Sequence, residues 1–152
     1  MIVVFDASAA VKLVLDEIDS DVARLVWDEA DAVVAPTIMA VEVAAAVAAA
    51  ARAGRVHADA VPTAHRALGD VVDAVDLRVV DVTLADAARG IAGGEPVRGM
   101  DAIYLAVLAE LDEPAAPAAL ASFDAKQRAA ALAAGLAILP AWTGAEREET
   151  SD

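Results

Sequence analysis

The sequence predicts an α/β fold in three layers, with a central, mostly parallel sheet between helices. Three observations predict it. Short apolar runs alternate with longer stretches of helical periodicity, the pattern of parallel strands joined by crossover helices. The first run, Ile2-Val3-Val4-Phe5, is apolar throughout, as a strand buried on both faces must be. Ala and Val supply much of an apolar fraction of 59%, with aromatics at only 3%, which suits thin, closely packed helices on a Val-containing sheet. With 152 residues and a mean hydropathy of +0.55, the chain is long enough for one cored domain and too apolar for disorder.

Each element follows in order. Residues 2–5 form the first strand and 7–15 a short helix, with Ser8 as its cap. Asp19-Ser20-Asp21 starts a second helix with acids at the positive end of its dipole, running to near Glu29. Residues 32–35 form a second strand closed by Pro36. Thr37 then caps a long helix to about Ala53, with Gly54 at its C′ position and Glu42 in its second turn. A helix over 58–75 carries Pro62 near its start. Residues 77–82 form a third strand, and Thr83 caps a helix ended by Gly93-Gly94. A loop over 94–99 leads to a largely buried helix over 101–111, broken by Pro114 and Pro117. Residues 118–123 form an Ala-rich fourth strand, 125–134 a helix capped by Gly135, and 136–139 a fifth strand stopped by Pro140. Residues 1–142 read as one domain without internal repeats, and 143–152 as a polar, flexible tail.

Composition excludes several classes. There is no cysteine, hence no disulfide framework, thiol nucleophile or zinc–thiolate site. His57 and His65 lie far from every acidic motif and read as helix-surface residues; Trp27 and Trp142 read as core or interface anchors. The first apolar run is short and has no basic n-region, unlike a signal peptide. The Ala-rich run 43–51 is too short to span a bilayer and is flanked by Glu42 and Arg52. A soluble, cytoplasmic protein is expected. The net charge of −14 repels nucleic acid at long range, while leaving room for a divalent cation or a basic partner.

Four acids have related positions. Asp6 follows the first strand, Asp124 follows the fourth, Asp101 opens a helix, and Glu42 lies early in the helix after the second strand. In a parallel sheet, strand C-termini and the next helix N-termini share one edge, so all four side chains can reach one cleft. Crowded carboxylates raise one another's pKa values, and a divalent cation removes that cost. Hard oxygen donors suit Mg²⁺ or Mn²⁺, whose bound water is a better nucleophile and which can also hold a phosphoryl oxygen. Phosphodiester hydrolysis is the natural reaction. Ser8 and Ser122 lie two residues from Asp6 and Asp124, where a hydroxyl can orient a carboxylate or a metal-bound water. Each acid alone reads more readily as a helix cap than as a ligand, Asp101 above all; Glu42, between two valines and before a run of alanines, fits the cap reading least.

The segments Ile2-Val3-Val4-Phe5-Asp6-Ala7-Ser8, Glu42 in its helix, Arg98-Gly99-Met100-Asp101-Ala102 and Ser122-Phe123-Asp124 together resemble the PIN domain, and more narrowly the VapC toxins of bacterial toxin–antitoxin pairs. The closing strand 135–140 resembles the family's as well, so the likeness runs over nearly the whole chain. It implies a three-layer PIN-like fold and a Mg²⁺- or Mn²⁺-dependent ribonuclease. Asp6, Glu42 and Asp101 would be its principal metal-site acids, Asp124 would complete the site, and Ser8 would take the hydroxyl position. The family often has an aromatic residue before the third acid, where this chain has Met100. The resemblance further implies endonucleolytic cutting to a 5′-phosphate and a 3′-hydroxyl, a homodimer, and an antitoxin whose C-terminal segment covers the active site.

An acidic ribonuclease must bind RNA locally, against its own field. Lys12, Arg98, Lys126 and Arg128 are the basic residues nearest the acidic motifs and are the candidate phosphate contacts. Two neighbouring readings are a PIN nuclease of RNA processing without an antitoxin and a degenerate PIN domain that only binds partners. The intact set of four acids counts against the second. A receiver-like phosphoryl acceptor would need an acidic pair after the first strand and a Lys after the last. Asp6 stands alone, and Pro140-Ala141-Trp142 follows Leu139.

Overall fold

The structure, a computed structural model, describes residues 1–94 and 97–141. Strand β1 (Ile2–Phe5) is the middle of a five-stranded sheet in which every pair is parallel. On one side lie β2 (Ala32–Pro36) and then β3 (Asp76–Arg78); on the other lie β4 (Ala118–Ala121) and then β5 (Ala137–Leu139). From β1 the chain first builds outward to β2 and β3, then returns to β4 on the opposite side. The switch point therefore falls between β1 and β4, where Phe5 pairs with Ala121. In open α/β sheets, the crevice at such a point is where ligands bind.

Seven helices cover the sheet among the described residues: α1 (Ala7–Val14), α2 (Ser20–Glu29), α3 (Met39–Arg52), α4 (Val61–Ala74), α5 (Val82–Gly94), α6 (Gly99–Leu111) and α7 (Ala125–Ala133). Side chains alternate across β1, so Val3 and Phe5 enter one apolar cluster and Val4 the other. Phe5 meets Trp27 of α2 edge to face at 5.3 Å between ring centres. On the opposite side α6 packs on β1, β2, β4 and α5, with Tyr104 through Leu108 buried without a break. A helix buried around its whole circumference belongs in the core, as its apolar sequence predicts.

The predicted elements are all present, with local corrections. The third strand was expected over 77–82 but covers Asp76–Arg78. Its partner β2 ends at Pro36, which pairs with Arg78, so the backbone beyond has no strand to join. The Ser8 cap is wrong: Asp6 caps α1, its Oδ1 accepting from the Ala9 N–H at 2.8 Å. Thr83 is not a cap either, because Asp81 Oδ1 accepts from the Leu84 N–H at 2.9 Å. Helix α3 starts at Met39 with no side-chain cap, which excludes Thr37 and moves Glu42 into the first turn. The fourth strand stops at Ala121, two residues early, since β1 ends at Phe5 opposite it. Residues 58–60 form a separate 3₁₀ turn before α4. Gly54 and Gly135 take positive φ (70° and 75°) after their helices, as a C′ position requires. Trp142 and the expected tail 143–152 lie outside the described residues, as do Glu95 and Pro96. No helix among the described residues is long and apolar enough to cross a membrane.

Candidate active site

Asp6 stands at the C-terminal end of the central strand and is 1% exposed. Its backbone N–H still continues the sheet, donating to Ala121 O at 3.1 Å, while its side chain turns to cap α1. Oδ1 also accepts from the Ser8 hydroxyl at 2.7 Å. Burial pushes the carboxyl up to about 6; hydrogen bonds from the Ser122 and Ser8 hydroxyls and from the Ala9 and Ser8 backbone oppose the rise without cancelling it. Asp6 is thus a cap and, at the same time, a desolvated acid at the switch point.

Two serines tie the ends of β1 and β4 together. The Phe123 N–H donates to Ser8 Oγ at 2.8 Å, the Ser8 and Ser122 hydroxyl oxygens lie 3.4 Å apart, and the Asp124 N–H donates to Ser122 Oγ at 3.2 Å. Each hydroxyl therefore reaches from its own turn to the neighbouring one. Asp124 caps α7, its Oδ1 accepting from the Lys126 and Gln127 N–H groups at 2.8 and 3.1 Å.

Asp101 lies in the first turn of α6 and is half-buried. Its carboxyl is raised by burial and by the negative charge of Asp124, with the Arg98 guanidinium pulling the other way. Asp101, Asp124 and Arg98 thus share one electrostatic neighbourhood. Glu42, also half-buried, comes from α3, and its Oε2 accepts a 2.6 Å hydrogen bond from the Tyr104 hydroxyl. Burial, followed by the Glu42 bond and charge and by the charge of Asp6, holds the phenol well above its ordinary value. Tyr104 therefore links the Glu42 side of the edge to the Asp6 side. Sequence reading placed Tyr104 only among the apolar residues of its helix. The available signal was its hydroxyl, which must find a partner when the ring is buried.

The four acids thus come from the β1–α1 junction, α3, α6 and the β4–α7 turn. They do not form a closed metal cage: among the described residues, no three acidic or histidine side chains are gathered so as to hold an ion. Asp6 and Asp124 each give an oxygen to a helix N-terminus, and Glu42 gives one to Tyr104. What the edge offers is hard oxygen donors, with Asp6 desolvated and Asp101 raised by burial and by the charge of Asp124. Mg²⁺ is commonly held by only one or two carboxylates plus waters, and this open donor set fits that habit.

The candidate phosphate contacts divide. Arg98 and Lys126 are exposed at the starts of α6 and α7. Lys12 Nζ donates to Ile18 O at 2.7 Å, pairs with Glu17 at 3.7 Å and lies 5.0 Å from the centre of the Phe123 ring. Arg128 donates to three carbonyls, Ser122 O at 2.9 Å, Leu139 O at 3.3 Å and Pro140 O at 2.9 Å, clamping the ends of β4 and β5. Burial lowers its guanidinium, and the nearby charge of Asp6 raises it. His57 and His65 are exposed and remote, on the 3₁₀ turn's cap and on α4.

No protein-family model matches the sequence. Two curated relatives from strains of Mycobacterium tuberculosis, ribonuclease VapC45 and ribonuclease VapC49, are each 34% identical over 140 residues, covering 92% of this chain and 96% of the relative. Among solved structures, the fold matches VapC20 of M. tuberculosis, described as a toxin that cleaves the sarcin–ricin loop (TM-score 0.62, 18% identity, 84% of this chain and 94% of that one). It also matches VapBC2 of Rickettsia felis bound to promoter DNA (TM-score 0.60, 12% identity, 91% and 97%) and FitAcB of Neisseria gonorrhoeae (TM-score 0.62, 14% identity, 90% and 95%). At these identities the solved structures show the shared fold.

Proposed function

The chain belongs to the VapC family of ribonucleases, and from that premise we propose that it is the toxin of a toxin–antitoxin pair, hydrolysing RNA phosphodiesters at the carboxylate edge of its sheet with Mg²⁺ or Mn²⁺. The observation that carries this reading is the electrostatic cost gathered at the switch point. Asp6 is raised to about 6 by burial, and Asp101 is raised by burial and by Asp124. Desolvation of Asp6 and repulsion between Asp101 and Asp124 are both costs that a bound cation would relieve.

Asp101 and Asp124, which feel each other's charge, would hold the cation directly, with Asp6 and Glu42 acting on it through bound water. When bound, it supplies an acidified water as nucleophile and charge neutralisation at a phosphoryl oxygen. The chain's own residues do the rest. Ser8 and Ser122 keep Asp6 and the Asp124 turn in register. Arg98, beside Asp101, and Lys126, beside Asp124, meet the phosphates of the bound strand. Lys12 and Arg128 contribute charge while holding neighbouring backbone. The antitoxin is proposed to cover this edge, and the toxin to act as a homodimer, cutting internally to leave a 5′-phosphate and a 3′-hydroxyl.

The test uses total RNA, wild type and Asp6→Asn, with Mg²⁺ or with a chelator. Wild type with Mg²⁺ should cut, and either the chelator or the substitution should reduce cutting by about two orders of magnitude or more. Equal cleavage under all conditions would remove the proposed site.

A further inference from the structure

We infer that Tyr104 is a positioning residue for the cation site, its hydroxyl holding the Glu42 carboxylate in place so that α6 sets the position of two acids. This rests on the proposed reading of Glu42 as a metal-site acid. Tyr104 is 1% exposed and lies three residues after Asp101 on α6, one helical turn away. Its hydroxyl donates to Glu42 Oε2 at 2.6 Å across to α3. The ring belongs to the same apolar cluster as Met39 and Val43, which flank Glu42 on α3. Packing therefore leaves the phenol little freedom, and the hydrogen bond passes that rigidity to a Glu that otherwise has several torsions to order.

The chemistry of the donor is suited to the task. A phenol O–H orients a carboxylate without bringing a charge that would cancel it, as Lys or Arg would. The bond falls on Oε2, and no other hydrogen bond to the Glu42 carboxylate occurs among the described residues, so Oε1 keeps its lone pairs. A merely structural role would ask only that the buried hydroxyl find any acceptor. The positioning role asks that the acceptor's geometry matter to the ion.

The test compares wild type, Tyr104→Phe and Glu42→Gln by calorimetric titration with Mn²⁺ alone, beside thermal midpoints in chelator. Wild type should bind Mn²⁺ and Glu42→Gln should bind it weakly. Tyr104→Phe should lose about tenfold or more in affinity, the range for outer-shell partners, at a nearly unchanged midpoint. Its cleavage deficit should shrink as Mn²⁺ is raised. Tyr104→Phe binding as tightly as wild type, with Glu42→Gln impaired, overturns the positioning role and leaves the proposed function standing. No binding by wild type, or Glu42→Gln binding like wild type, overturns both. Tyr104 is the single tyrosine of the chain, so a [¹³Cζ]tyrosine NMR spectrum of the unmutated protein gives one signal even if the Phe variant fails to fold. Mg²⁺ should displace that signal in wild type and not in Glu42→Gln; a signal indifferent to Mg²⁺ in wild type overturns the inference.

Discussion

Asp6 shows how one side chain serves the fold at a cost. Its carboxyl lies at about 6, above its ordinary 3.8, so the folded chain holds the proton more tightly than the unfolded chain does. The stabilisation this provides is complete below about pH 4 and is lost as pH rises through about 6, an effect of about 3 kcal/mol at 1.36 kcal/mol per pH unit. Asparagine caps a helix as well as aspartate and cannot ionise. In chelator, wild type should therefore lose up to about 3 kcal/mol relative to Asp6→Asn between about pH 4 and pH 7.5, read from urea midpoints. Parallel pH profiles for the two proteins would show that the cost of burying Asp6 is not borne in the metal-free fold. The same substitution should reduce cutting by about two orders of magnitude or more while stabilising the metal-free protein near neutral pH, the trade expected if the acid is kept for function. That Asp6 follows a buried strand was legible in the sequence. That it also caps α1 was one reading among others, and the sequence favoured Ser8, because the choice between the two depends on which backbone leaves the sheet first.

The Arg128 clamp belongs to the scale of elements. In the sequence Arg128 is one of several cations near an acidic motif. In the fold it lies on α7 and its guanidinium donates to carbonyls at the ends of both β4 and β5. Those strands are short, and β5 is an edge strand of three residues, so the clamp supplies contacts the ladder lacks. Charge-assisted hydrogen bonds exceed neutral ones, and Arg128→Met should cost about 2 kcal/mol in urea unfolding at unchanged slope. Arg128→Lys should recover less than half, since an ammonium on a flexible stem cannot reproduce the planar fork. A Met variant as stable as wild type would leave the clamp without energetic weight. Strand lengths are set across the sheet in the same way. Residues 79–82 and 122–123 have strand-like side chains, but pairing stops where the partner strand stops.

At the scale of the whole molecule, the charge of −14 acts on every approaching polyanion. The association rate with a short RNA should rise between about 20 and 150 mM KCl as salt screens that repulsion, measured by stopped-flow fluorescence. A falling rate would show that Arg98 and Lys126 dominate the field the RNA meets. The same acidity favours a basic partner segment over the site, in keeping with an antitoxin proposed to lie there.

Strand order is where local pattern stops informing. The alternation of strands and helices, the buried character of Ile2–Phe5 and of α6, and the four acids beside element ends were all present in the sequence, because periodicity and end signals are local. Sequence could not say which strands are neighbours. The order β3-β2-β1-β4-β5 sets Asp6 beside the Ser122–Asp124 turn although more than a hundred residues separate them, and it lets α6 place Asp101 near Asp124 and Tyr104 against Glu42. Desolvation, like-charge repulsion and a 2.6 Å hydrogen bond all depend on distance through space, so the shifted carboxyls and the Tyr104–Glu42 bond exist only once the sheet is assembled.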